Sequence, residues 1–309
     1  MNAAAGARIC VLANPKSGRN SRDRDAIARA MAVFGPHATL RHWRSGEDLD
    51  VVVRRLVAEG FQTIVAAGGD GTVTGVAHAL LGTRVALGVL PLGTFNFFAR
   101  GLHLPEDPEG AAQAILGGQV RRISVGTVNG QVFLNNASLG IYPRILQARE
   151  ESYARWGRSR LLAYWTVLKT LVRYQAARRV IVTVEGQTRN LRSPLIFVAR
   201  SAYQLQRFGL TGGKAISDDR FAVFIALGGT RWHLLKLALH LALGRVIPGQ
   251  DVEVLTTRQM EVRTAKRRPN VAFDGEKRRM LAPLLFEIQP DALSIILPAE
   301  KAEMPKGSA

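Results

Sequence analysis

A chain of 309 residues with 47% apolar side chains is long enough to bury one large core or two ordinary ones. Its 42 Lys and Arg against 24 Asp and Glu leave a net charge of +18, which favours anionic partners such as nucleic acid, acidic lipid surfaces or phosphorylated substrates. The single cysteine, Cys10, excludes a disulfide framework and fits a reducing compartment, and no window of 18 uncharged apolar residues occurs, so the chain can touch a membrane without crossing it.

The first thirteen residues run small side chains directly into a strand pattern and lack the long apolar core of a signal peptide. Residues 7–13 read as the first strand, 14–20 as a polar loop, and 21–34 as a helix with Ala26, Ile27, Ala30 and Met31 inward. Residues 38–43 are strand-like, and 48–58 are helical with Leu49, Val52, Val53 and Leu56 on one side. The run 63–68 reads as a buried strand. A glycine-rich turn, Gly68-Gly69-Asp70-Gly71-Thr72, follows, and then Val73, Val76, Ala77 and Leu80 recur at helical spacing. Residues 85–90 are another buried strand, followed by Pro91-Leu92-Gly93-Thr94, a helical 96–101 and a helix at 108–116. Strands alternating with helices predict a mainly parallel sheet covered on both faces.

The pattern changes near Val125. Short strand-like runs at 128–134, 180–188, 195–199, 221–227, 251–255, 259–263 and 284–288 are joined by turns such as Asn129-Gly130, Glu185-Gly186 and Asp274-Gly275. This half reads as an antiparallel β domain with two helical insertions, a long basic one at about 142–178 and an amphipathic one at 231–243. The last run, 292–297, is apolar enough to end inside a sheet of the first domain. The expected domains are therefore 1–126, joined by 292–298, and 127–291.

A strand that breaks into glycines and re-enters as a helix presents backbone N–H groups at the helix start, where the dipole is positive. That suits a phosphate. Asp70 would repel bare phosphate, so it must meet a cation, a hydroxyl or neighbouring N–H groups; a plain turn with Asp70 as cap is the alternative. Phosphate-contacting loops of an open parallel sheet lie at strand carboxyl ends. Residues 14–20, 68–72 and 93–96 all qualify, with Lys16 supplying charge and Asn14, Ser17 and Thr94 supplying hydrogen-bonding groups. Neither the GxxxxGK[ST] nor the GxGxxG pattern occurs in these loops. Late in the chain, Asp274 and Glu276 are acids in an arginine-rich region, and Asp218-Asp219 form a second acidic pair; both also read as turns.

Together, Asn14-Pro15-Lys16-Ser17-Gly18, Gly68-Gly69-Asp70-Gly71-Thr72 and Pro91-Leu92-Gly93-Thr94-Phe95-Asn96, with the late Asp274-Gly275-Glu276, resemble the signature loops of the diacylglycerol kinase catalytic-domain family, which includes bacterial lipid kinases and sphingosine kinases. The resemblance implies an N-terminal nucleotide-binding α/β domain with a mainly parallel sheet, a C-terminal antiparallel β-sandwich and an active site in the cleft between them. It implies that Asn14, Lys16, Ser17, Gly68, Gly69, Asp70, Gly71, Thr72, Gly93, Thr94 and Asn96 belong to loops holding ATP. It further implies that Asp274 is the general base, that Glu276 interacts with Mg2+, and that Asp218 and Asp219 form an additional magnesium site. Two positions depart from the pattern: Arg220 stands where the family usually has glycine, and Phe97 where it often has aspartate.

The expected reaction is transfer of the γ-phosphoryl group of ATP to the hydroxyl of a membrane lipid, with diacylglycerol first among the acceptors. Residues 142–179 interleave nine basic side chains with Tyr153, Trp156, Tyr164 and Trp165. With 231–243 and Lys266-Arg267-Arg268, they are expected to dock the chain on the anionic inner face of the membrane, giving a cytoplasmic, peripherally associated protein. A homodimer remains open. The alternatives are an NAD kinase-like enzyme, which shares the GGDGT loop, a nucleic-acid- or anionic-lipid-binding protein without activity, and a degenerate kinase acting as a sensor. No nucleic-acid-binding signature accompanies the positive charge, so no nucleic-acid partner is expected.

Overall fold

The computed structural model describes residues 8–14, 25–44, 46–143 and 177–299. The loop residues Lys16 and Ser17 and most of the long basic insertion expected at 142–178 lie outside the described residues. The chain divides into two compact units, Met1–Val125 with Gln289–Ala309, and Gly126–Ile288.

The first unit is built on strands β1 (Ile9–Ala13), β2 (Ala38–His42), β3 (Thr63–Gly68) and β4 (Ala86–Pro91), parallel and in the order β2-β1-β3-β4. β1, β3 and β4 are buried at every position, which is why they read as unbroken apolar runs. The helices are α1 (Ala26–Phe34), α2 (Leu49–Ala58), α3 (Asp70–Leu80), α4 (Phe97–Gly101) and α5 (Pro108–Leu116). Asp48 caps α2 by accepting from Asp50 N, and Asp107 caps α5 from Gly110 N with Pro108 in the first turn. Phe34 of α1, Val65 of β3, Leu90 of β4 and Ile115 of α5 share one core. Cys10 is fully buried; desolvation pushes its thiol up to about 12 against a smaller downward pull from Arg41, so it is no nucleophile at neutral pH.

The second unit contains β6 (Gln131–Phe133), β7 (Asn136–Gly140), β8 (Arg178–Val184), β9 (Gln187–Ser193), β10 (Leu195–Ala199), β11 (Phe221–Ala226), β12 (Val252–Thr257), β13 (Gln259–Thr264), β14 (Asn270–Phe273) and β15 (Glu276–Arg279). One sheet runs β12-β11-β10-β7-β14-β15, and the other pairs β9, β8 and β13, all antiparallel. Phe133 and Met260 from one sheet, and Phe221 and Phe273 from the other, bury their side chains in a common core. The two sheets therefore pack face to face as a sandwich. Short helices α6 (Ala202–Arg207) and α7 (Gly213–Ser217) follow β10, and α8 (Arg231–Ala242) follows β11. Among the described residues no helix is long and apolar enough to cross a membrane.

Two strands cross the boundary between the units in sequence: β5 (Gln119–Val128) and β16 (Leu284–Leu297). The sequence reading expects two separate runs, 284–288 and 292–297; they form one 14-residue strand. Its first part pairs antiparallel with β13, and its last part lies parallel to β4 with Ile295 opposite Leu87.

Phe133 is fully buried, stacked on Phe221 at 5.6 Å and edge-on to Phe286 at 6.4 Å. Phe133→Ala should cost about 3–5 kcal/mol through the cavity it leaves. Denaturant unfolding checks this, and a loss under 1 kcal/mol would show that the site collapses without penalty.

Candidate functional site

Three strand ends meet in the first unit. β3 runs straight into α3, which begins at Asp70, three residues earlier than the expected turn allows. The residue before the helix is Gly69, whose lack of a side chain leaves no cap for the first helical N–H groups. An uncapped helix start of eleven residues suits an anion. Asn14, just past β1, donates its backbone N–H to Ala67 O at 3.0 Å and its Nδ2 to Thr72 Oγ1 at 2.9 Å. The first loop is thus tied to the second.

The third loop, after β4, is tied to the second by backbone contact. Leu92 N donates to Gly68 O at 2.9 Å. A Cβ on Gly93 would fall 2.5 Å from Gly69 Cα and 2.6 Å from Asn96 Oδ1, so neither chain leaves room for a side chain there. Asn96 knots this loop. It is 4% exposed and adopts left-handed backbone angles at φ 50°. Its Oδ1 accepts from Gly93 N at 2.9 Å, and its Nδ2 donates to Pro91 O and Gly93 O at 3.1 and 3.2 Å. Asn is one of the few non-glycine residues that tolerates this conformation. Asp70 meets neighbouring N–H groups, one of the three partners its charge allowed: its Oδ1 accepts from Phe98 N at 3.1 Å, which anchors the start of α4. Thr94 sits exposed on the third loop, and Phe97, in the usual aspartate position, stacks on Phe95 at 5.4 Å.

In the second unit, Asp274 forms the β14–β15 turn with φ 46° and is 9% exposed. Both carboxylate oxygens are engaged. Oδ2 accepts from Leu134 N at 2.6 Å, and Oδ1 accepts from Asn135 N and Asn136 N at 2.9 and 3.0 Å. The side chain therefore fixes the bend between β6 and β7. Asp274 is both a hairpin turn residue and a buried carboxylate on a ring of N–H donors. Glu276 follows at the start of β15 on an exposed strand; neighbouring protein desolvates its carboxyl and pushes it above the ordinary range, while Arg278 pulls it down.

Further bonds extend this arrangement to residues that sequence reasoning missed. Asn136 Nδ2 donates to Gln204 Oε1 at 2.9 Å, and Arg200 N donates to Asn135 O at 2.8 Å. The Arg200 guanidinium, 11% exposed, pairs with Asp219. Burial pulls Arg200 below its usual value and Asp219 pushes it back up. Asp219 is left-handed at φ 56°, and its carboxylate serves this ion pair; Asp218 lies beside it at the end of α7. Arg220 reaches Glu185 at 3.3 Å. The only sequence signal for this network is the Asn135-Asn136 pair directly after an apolar run. Among the described residues no group of three or more His, Cys, Asp or Glu stands ready to hold a metal ion.

Residues 8–128 match the family described as the diacylglycerol kinase catalytic domain, and residues 138–297 match the family described as the YegS C-terminal NAD kinase beta sandwich-like domain. A diacylglycerol kinase of Bacillus subtilis (strain 168) is 27% identical over 305 residues, spanning 96% of this chain and 98% of that protein. A probable lipid kinase YegS-like protein of Pseudomonas aeruginosa (strain UCBPP-PA14) is 38% identical over 140 residues, which is 45% of this chain and 46% of that relative; the chain thus matches less than half of that relative's length. A crystal structure of a diacylglycerol kinase from Bacillus anthracis str. Sterne superposes with a TM-score of 0.68 at 21% identity, covering 95% of this chain and 98% of that one; the likeness is one of fold.

Gly93→Ala should destabilise the first unit by about 1–3 kcal/mol, since the new methyl meets backbone on one side and the Asn96 amide on the other. An unchanged unfolding midpoint would mean that the loops separate at no cost.

Proposed function

Because the chain belongs to the family that joins a diacylglycerol kinase catalytic domain to a YegS C-terminal NAD kinase beta sandwich-like domain, we propose that it is an ATP-dependent lipid kinase with a membrane glycerolipid as acceptor. The observation that carries this reading is the convergence of Asn14, Gly68–Thr72 and Gly93–Asn96 on one uncapped helix start. Phosphoryl transfer asks a protein mainly for alignment and charge neutralisation. Backbone N–H groups at Asp70, Gly71 and Thr72 would hold phosphate oxygens, and Lys16 and Ser17 would add charge and a hydroxyl.

Asp274 would accept the proton of the lipid hydroxyl as it attacks the γ-phosphoryl group. Its oxygens are held in a fixed orientation by Leu134, Asn135 and Asn136. Glu276 has the chemistry of a magnesium ligand. With no protein cage among the described residues, the ion would need phosphate oxygens to complete its shell. Bound there, magnesium would neutralise charge on the transferring phosphoryl group. Asp219 is committed to Arg200, so a second magnesium at Asp218 and Asp219 would have to compete with that pair.

The anionic inner face of the membrane is the proposed docking partner. α8 buries only Leu234, while Trp232, Leu239 and Leu243 are 68%, 58% and 57% exposed beside Arg231, Lys236 and Arg245. Apolar and aromatic side chains next to cations suit the headgroup boundary. Trp232→Ala with Leu239→Ala should cut flotation with anionic vesicles by at least fivefold. Equal binding to neutral and anionic vesicles would remove the electrostatic part of this proposal.

Labelled ATP offered with diacylglycerol, sphingoid base, phosphatidylglycerol, polyprenol and NAD tests the function, NAD being included because of the shared GGDGT loop. Asp274→Asn should lower turnover by about 10²–10⁴-fold. It should also cost about 1–3 kcal/mol of stability, because an amide points N–H groups at one of the three backbone donors. The assay therefore belongs well below the variant's melting temperature. Undiminished turnover there would remove Asp274 from the mechanism.

A further inference from the structure

The second unit carries a cavity of about 270 Å³ at the end of the sandwich away from Asp274. β7 runs from Asn136, whose N–H sits on Asp274, to Gly140, which lines the cavity. Four residue steps at about 3.3 Å separate the two by roughly 13 Å. The cavity is distinct from the candidate catalytic residues of that unit.

Its rim is basic. Arg178 stands at the start of β8, Arg279 at the end of β15, and Lys266 and Arg268 lie on the loop from β13 to β14. Among the described residues no Asp or Glu lines it, and none of the four cations forms an ion pair. A second cavity, of about 390 Å³, sets Arg220 and Arg258 against Glu185 and Glu261 and so balances its own charge. The first does not. Four like charges around one hollow repel one another, and an anion entering relieves that repulsion. The floor is apolar, formed by Leu139, Val180 and Ile196 of the sandwich core.

We propose that this cavity binds a phosphoryl headgroup, with phosphate oxygens on the arginine forks and lysine and the adjoining carbons on the apolar floor. Arginine pairs with phosphate through two parallel N–H bonds, which favours a multi-oxygen anion over a single carboxylate. The volume takes a phosphate with a few carbons and excludes a pair of acyl chains. The inference rests on charge and shape, independently of the kinase reading.

Calorimetric titration of the full chain, without nucleotide, tests it with four probes: dihexanoyl phosphatidic acid, glycerol 3-phosphate, inorganic phosphate and dihexanoyl phosphatidylcholine. The phosphomonoesters should bind more than fivefold tighter than the zwitterionic lipid, and more weakly as salt is raised. Arg178→Gln with Arg279→Gln should weaken them by more than fivefold while the unfolding midpoint stays, since both side chains are exposed. If that variant fails to fold, Lys266→Gln with Arg268→Gln makes the same comparison. Preference for the lipid analogue over glycerol 3-phosphate identifies a membrane headgroup as the source, and equal binding identifies a free phosphorylated metabolite. No binding of any phosphoryl probe, or binding that the variant changes by less than fivefold, overturns the proposal. Because no ATP is present, an inactive kinase would leave this result intact.

Discussion

The carboxylate of Asp274 is the contact on which the geometry of the second unit turns. Three successive backbone N–H groups, from Leu134 to Asn136, would otherwise be buried donors without partners, a cost of about 1–3 kcal/mol each. One acid satisfies all three and so dictates where β6 stops and β7 begins. The same groups hold the acid. Gln204 and Arg200 then secure the bend from the other side. In the proposed reaction, the atoms that fold the turn are the ones that would receive a proton.

The first unit solves its backbone accounting differently. There a neutral side chain, Asn96, meets both a donor and two acceptors of its own loop. Asp70, the negative charge in a phosphate-type loop, is drawn onto the N–H of Phe98. That bond ties one oxygen of the carboxylate to the start of α4 and leaves its charge in place. The glycines at 69 and 93 matter for their missing side chains, which let two backbones touch.

Most of the first unit was legible because β1, β3 and β4 are buried on both faces, and such strands announce themselves as apolar runs. Thr63–Gly68 is observed with the bounds the pattern predicts. The second unit was less legible. β7, Asn-Ala-Ser-Leu-Gly, has almost no β propensity, and pairing with β10 and β14 on its two sides makes it a strand. The run Gln289-Pro290-Asp291 has the composition of a break, yet β16 passes through it with Asp291 at φ 45°. At the site, the glycine loops and the two late acids stood out in sequence. Arg200 and Gln204 did not, since their roles depend on contacts with residues some 65 positions earlier.

The position of β16 has a consequence for biosynthesis. β4 gains its second neighbour only when Ile295 arrives, about 200 residues after β4 itself is made. At translation rates of 5–20 residues per second, that edge stays open for about 10–40 s in the nascent chain. An apolar, unpaired edge is an invitation to pair with another chain. The first unit is thus completed only after the second has been made, and its open edge needs shielding until β16 emerges.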